Sequence, residues 1–254
     1  MKDKSVIITG AAGGIGRACV QAFVAAGARV VMADTDDSCR DLVEKLAEQR
    51  CRFVWTDVSA DGSVKNMVAE TSAAFGSIDV LVNNAALIPP MLPVHQTSMA
   101  DFERVVAVNL RGPFLCCKHC YPHLKKSRGS IVNMSSMAGM CGEASHAVYS
   151  ATKGALNSLT MAMAIDYGPD GIRCNAVCPS SVRTPATDKL INEKPNAEEI
   201  VEYRTKINHL GYTATPDQIA SVVVFLASPA AGFITGAIVP VSGGSECGYG
   251  VKRT

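Results

Sequence analysis

No apolar run in this 254-residue chain approaches the roughly 20 residues that a membrane-spanning helix needs; VVVFLA, residues 222–227, is typical of the longest. The formal net charge is +1, so the chain has neither the basic excess of a nucleic-acid binder nor an acidic tail. The opening MKDKSVIITG puts only VII after its charged residues, far short of the apolar region of a signal peptide. These gaps predict a soluble, cytoplasmic protein with neither a membrane nor a nucleic-acid partner. Repeats of fixed period and low-complexity tracts are missing too, and a chain of this length suits one domain spanning residues 1–254.

Cysteine is plentiful by contrast, with ten residues that are expected to stay reduced inside the cell. CCKHCYPH, residues 116–123, sets Cys117, Cys120 and His123 at i, i+3 and i+6, which invites a metal reading. No second ligand pair follows at a recognisable spacing, and the segment continues a helical pattern. Packing is therefore expected, and no metal site is assigned.

Short β-rich apolar runs alternate with stretches of helical spacing along the chain. SVIIT, ARVVMAD, CRFVWTDV, IDVLVNNAA, GSIVNMSS, IRCNAVCP and AIVPVSGG read as strands. Between them, RACVQAFVAAG, DDSCRDLVEKLAEQR, SVKNMVAETSAAFG, a long segment from MADFERVV to HLKK, residues 147 to about 167, and PDQIASVVVFLAS read as helices. Strands that are nearly continuous in apolar residues predict a parallel sheet covered on both faces: a doubly wound α/β fold of about seven strands. Residues 180–215 break the rhythm as a polar insertion with weak helical pieces, a length of loop that is usually functional.

TGAAGGIGRA, residues 9–18, follows the first strand and opens a helix. Glycines in that position let backbone N–H groups approach a pyrophosphate, and the helix start offers unpaired donors. The spacing is Gly10, Gly14, Gly16, with Ile15 between the last two. Asp34 ends the second strand, where a carboxylate accepts hydrogen bonds from a ribose and repels a 2′-phosphate. The expected cofactor is therefore NAD rather than NADP, although Arg17 is a nearby cation.

In HAVYSATKGALN, residues 146–157, Tyr149 and Lys153 lie one helical turn apart on the same face. A phenol ordinarily loses its proton near pH ~10. A fixed ammonium beside it is expected to lower that value and make Tyr149 a tuned acid/base.

Taken together, TGxxxGIG at residues 9–16, NNAA at 83–86, Asn109 in the following helix, the serine at the end of a strand and YSATK resemble the short-chain dehydrogenase/reductases, in order and over essentially the whole chain. The resemblance implies a Rossmann-like fold, usually a homotetramer, moving hydride between a nicotinamide and an alcohol or ketone carbon. It also implies roles. Tyr149 is the general base or acid, Lys153 its tuning partner and a ribose contact, Ser136 the group that steadies the substrate oxygen, and Asn109 the holder of a water in a proton relay. Ser135 should point to the opposite side of the strand. Further cofactor contacts are implied at Asp57 and Val58, Asn83 and Ala85, and Pro179, Val182 and Thr184. Two departures stand out: Ala86 replaces the glycine of NNAG, and Ser180–Ser181 follow Pro179 where glycine is common.

The substrate is read from less. ALIPPMLPVHQ, MAGMCGEASH and the insertion are expected to border the pocket. Met91, Leu92, Met137 and Met140 offer apolar contact; Glu143, His146 and Arg183 offer polar handles, His146 best placed at three residues before Tyr149. The polar groups favour a sugar, polyol or hydroxy acid. The methionines leave open a 3-oxoacyl thioester reductase or a cyclic or steroid alcohol dehydrogenase. A non-catalytic NAD-binding regulator is the alternative of another class.

Overall fold

A computed structural model describes residues 1–46 and 49–248. Strands β1 (Ser5–Thr9), β2 (Arg29–Asp34), β3 (Cys51–Trp55), β4 (Val80–Asn83), β5 (Ser130–Met134), β6 (Arg173–Pro179) and β7 (Ile238–Val241) form one sheet. Its order is β3-β2-β1-β4-β5-β6-β7, and every pairing is parallel. The helices are α1 (Gly14–Ala25), α2 (Cys39–Leu46), α3 (Asp61–Phe75), α4 (Met99–Val106), α5 (Gly112–Ser127), α6 (Ala147–Tyr167), α7 (Pro185–Asn192), α8 (Ala197–Lys206) and α9 (Pro216–Ala227). Of the helix expected across DDSCRDLVEKLAEQR, residues 47–48 lie outside the described residues, as do the last six positions of the chain.

Alternation along each strand divides the core in two. Val6, Ile8, Val30, Met32, Val80, Val82 and Val132 face α1, α2 and α9, meeting Phe23, Leu42 and Val223. Ile7, Val31, Leu81 and Ile131 face α3, α5 and α6, meeting Met67, Leu124 and Met163. Both faces are thus covered, which is why the strands read as unbroken apolar runs. Phe23 is wholly buried, and its truncation to alanine would cost about 3–5 kcal/mol. Cys116, Cys117 and Cys120 belong to the second core as small hydrophobes, and all ten cysteines are free thiols. Among the described residues no cluster of three or more His, Cys, Asp or Glu stands together as a metal site, and no helix is long and apolar enough to cross a membrane.

The long helix expected from residue 99 is interrupted. A π-helical turn over Ala107–Arg111 separates α4 from α5, with the Gly112 N–H reaching the Ala107 carbonyl. Pro113 supplies the physical reason: it has no N–H to give the Asn109 carbonyl four residues back. The polar insertion, in turn, folds as α7 and α8.

β1 and β4 are sheet neighbours while the chain runs from β1 outward to β2 and β3, so the strand order reverses between them. In open α/β sheets a ligand crevice opens at the carboxyl ends of the strands at such a point. The loops after β1, β4, β5 and β6 all meet there.

Candidate active site

The wall beside β1 is built from backbone. Gly10 has φ +64°, a conformation side chains resist, and the Cβ it lacks would lie 2.7 Å from the Ala85 Cα. At Gly16 an added Cβ would sit 2.0 Å from the Gly10 carbonyl oxygen, so only glycine lets the turn close onto α1. Thr184 packs against Gly14 from the far side of the crevice. Gly13 precedes α1 as a cap without a side chain, which leaves first-turn N–H donors for a ligand. Asn84, which sequence reasoning passed over, ties this turn together: its Nδ2 donates to the Thr9 and Gly10 carbonyls at 3.0 and 2.9 Å, and the Thr9 hydroxyl accepts from the Asn84 and Ala85 amides. The two adjacent asparagines of NNAA were the available signal. Asn83 turns the other way, bonding Asn133 Oδ1 at 2.8 Å and Cys117 Sγ inside the core, so only its main chain faces the crevice.

Asp34 stands at the end of β2 with Oδ2 accepting from the Ala12 amide at 2.9 Å and Oδ1 from the Asp36 amide at 3.0 Å. A carboxylate has lone pairs to spare beyond those two bonds. Asp57 accepts from the Ser59 amide and hydroxyl, and Val58 packs on Gly112. The uncapped helix start, the close-packed glycines and the Asp34 carboxylate fit a dinucleotide.

The opposite wall is built from side chains. At the end of β5 the chain turns so that Ser135 and Ser136 diverge. Ser135 Oγ donates to the Lys153 carbonyl at 3.1 Å, whereas the Ser136 hydroxyl accepts from the Ala138 amide and lies near enough to the Tyr149 phenol to favour its ionised form. Lys153 is only 2% exposed; its Nζ donates to the Met134 carbonyl at 2.7 Å and lies 5.6 Å from the centre of the Tyr149 ring. Asn109, fully buried in the π turn, accepts from the Leu87 amide at 2.7 Å and donates to its carbonyl at 2.9 Å. Its Nδ2 also reaches Thr152 Oγ1 at 3.5 Å, and Thr152 in turn bonds the Tyr149 carbonyl.

The expected electrostatics are corrected here. The sequence spacing predicts a phenol made more acidic by Lys153. Instead, burial pushes the Tyr149 phenol up to about 12, against the lowering influence of Ser136, and Glu143 and Cys178 push it the same way. Burial also pushes the Lys153 amine down to about 8. Removing water from both groups disfavours both charges.

His146 is buried at 9% exposure, its ring tilted against that of Tyr149 with centroids 5.4 Å apart and Nδ1 3.0 Å from Glu143 Oε2. Arg183 is not drawn into this cluster. It turns to solvent and pairs with Asp188 at 3.1 Å. The loop after Pro179 is held from the insertion: Ser180 Oγ donates to Asn208 Oδ1, while Arg204 donates to the Ser181 hydroxyl and to the Val182 carbonyl. Val182 bridges to Ala214, and Thr184 caps α7. Arg204 and Asn208 carried no signal in the sequence beyond two serines standing where glycine is common.

A family model described as enoyl-(acyl carrier protein) reductase matches residues 10–246. Meso-2,3-butanediol dehydrogenase of Serratia marcescens is 42% identical over 99% of this chain and 98% of its own. L-fucose dehydrogenase of Bos taurus is 38% identical over 98% and 92%. Among solved structures, the aldohexose dehydrogenase of Thermoplasma acidophilum superposes with a TM-score of 0.90 at 33% identity, covering 100% of this chain and 98% of that one. Levodione reductase superposes at 0.93 with 30% identity, covering 98% and 100%. With a glycine turn on one wall, a serine–tyrosine–lysine cluster on the other and relatives that match from end to end, this chain belongs to the short-chain dehydrogenase/reductases and is an oxidoreductase acting on alcohol and ketone carbons.

Proposed function

We propose that this enzyme transfers hydride between NAD and a secondary alcohol of a sugar or polyol, with Tyr149 moving the proton. The observation that carries the reading is the convergence of Ser136, Tyr149 and Lys153 at the strand ends facing the glycine turn. Gly10, Gly14, Ile15, Gly16, Asp34, Asp57, Val58, the main chain of Asn83, Ala85, Pro179, Val182 and Thr184 would hold the dinucleotide. When bound, it supplies the hydride acceptor and, in its oxidised form, a positively charged ring. Ser136 and Tyr149 orient the substrate oxygen. In reduction the phenol gives its proton to that oxygen; in oxidation the phenolate takes it. Lys153 stands one turn along, its amine held by the Met134 carbonyl. Asn109 fixes the π turn against Leu87 and Thr152, which sets α6 and its tyrosine. Because burial holds the phenol protonated, alcohol oxidation should quicken as pH rises and ketone reduction should not.

Asp34 supports NAD over NADP, since a 2′-phosphate beside it would meet a like charge. The names of the relatives, a sugar dehydrogenase and a diol dehydrogenase, support a polyhydroxylated substrate. Phe114 on α5, and Met161 and Ile165 one turn apart on α6, are large exposed apolar residues, which supports assembly of copies into a homotetramer. Ten free thiols suit the reducing cytosol. The test is a spectrophotometric screen of sugars, polyols, hydroxy acids, cyclic alcohols and β-hydroxyacyl thioesters with both cofactors. Turnover confined to the last two classes, or tight NAD binding without any turnover, would overturn this reading.

A further inference from the structure

His146 is built unlike an ordinary buried histidine. Its ring is packed against the Tyr149 ring, 5.4 Å between centroids, and only 9% of the residue is exposed. Among the described residues neither ring nitrogen has an aligned hydrogen bond, although Nδ1 lies 3.0 Å from Glu143 Oε2. Burying an imidazole in this state is costly unless something completes it. The chain also strains to present it. Ser145, just before, has φ 59°, a left-handed conformation that a serine seldom adopts, and His146 opens α6 without capping it. The Arg204 guanidinium, on α8, interacts electrostatically with Glu143 itself.

We propose that His146, oriented by Glu143, reads a second hydroxyl on the carbon next to the one oxidised, so that the preferred substrates are vicinal diols. The proposal rests on the functional reading above. With the proton on Nδ1, which lies 3.0 Å from Glu143 Oε2, Nε2 is left as an acceptor. A substrate oxygen seated on Ser136 and Tyr149 brings its neighbouring hydroxyl toward the ring stacked on Tyr149, and that hydroxyl donates to Nε2. A simple alcohol leaves the imidazole unpaired, and a site built to bond a hydroxyl discriminates against the analogue that lacks it.

Two substrate pairs test this: 2,3-butanediol against 2-butanol, and cis-1,2-cyclohexanediol against cyclohexanol, each with NAD. The wild-type enzyme should favour the diol in kcat/KM by about 10-fold or more. His146→Phe keeps a ring against Tyr149 and should shrink that ratio at least ~10-fold, chiefly through KM for the diol. His146→Asn, which retains an acceptor, should restore part of it, and Glu143→Gln should fall between. A readout independent of turnover is the His146 imidazole NMR signal, which should shift on adding diol but not the mono-alcohol. A diol preference equal in wild type and His146→Phe, with Tyr149-dependent turnover intact, would overturn this inference alone. If wild type oxidises no member of either pair, the inference falls; the functional reading falls with it only if the sugars and polyols of the wider screen are not oxidised either.

Discussion

The two walls of the crevice are made of different materials. Beside β1, main-chain groups do the shaping: a left-handed Gly10, a Gly16 pressed onto the Gly10 carbonyl, and an uncapped helix start. Beside β5 and β6, side chains do it: Ser136, Tyr149, Lys153 and His146 from one segment, Asn109 from a π turn, Arg204 and Asn208 from the insertion. A backbone wall is rigid and needs few residue types, whereas a side-chain wall draws on distant segments and takes its electrostatics from burial. The first is suited to a constant dinucleotide, the second to chemistry and choice of substrate.

If that division is right, damage to each wall should have a separate signature. The largest effect is expected on the side-chain wall. Tyr149→Phe removes the proton transfer and should cut kcat ~100-fold or more, with NAD affinity and melting temperature nearly unchanged; equal losses in affinity and turnover would break the division. Gly16→Ala forces a methyl into the space of the Gly10 carbonyl, an overpacking of about 1–3 kcal/mol. Calorimetry should show weaker NAD binding while the Lys153–Met134 bond on the opposite wall survives. Asp34→Asn removes the like charge facing a 2′-phosphate and should move the NAD/NADP ratio of kcat/KM toward NADP by about 10-fold. An unchanged ratio would take Asp34 out of cofactor choice. The smallest effect is expected at Arg204→Met, which keeps the stem but loses the bonds to Ser181 and Val182. Substrate KM should rise by a few-fold, about 1 kcal/mol in the loop it holds.

The same division explains what could be read in the sequence. The seven strands and both sheet faces were visible because Val6 to Ile8, Val30 to Met32 and Leu81 are apolar without a break, which only a doubly covered sheet requires. The glycine turn was visible because its residue types answer a steric demand. Ser136 was separated from Ser135 by its likeness to the family's serine and by an alternation that assumed a continuing strand; β5 ends at Met134, and the turn that follows it gives the two serines different partners. The π turn was hidden, since one proline and one asparagine in a helical pattern do not announce a register change. Arg204 and Asn208 were hidden because nothing local marks a residue that reaches across a loop to Ser180 and Ser181. The protonation of Tyr149 was misjudged for a related reason: four-residue spacing reveals that a cation is near, but not how much water has been removed from both groups.

That last point is open to direct measurement. Tyrosine labelled at Cζ and lysine labelled at Cε would let NMR follow Tyr149 and Lys153 in the protein alone as pH is raised, with Tyr149→Phe and Lys153→Met for assignment. Lys153 should lose its proton near pH 8 while Tyr149 keeps its own until about 12. Since the unfolded chain keeps the lysine proton up to its ordinary value of 10.5, the Lys153 contribution, read as the wild-type minus Lys153→Met difference in stability, should rise with pH across 8 to 10.5, while the buried cysteines, raised from 9.0, lower the total stability of both proteins above pH 9. A Tyr149 that ionises near neutral pH beside a Lys153 still charged above pH 10 would contradict the account, because it would mean that the ion pair, not burial, governs the proton at the centre of the site.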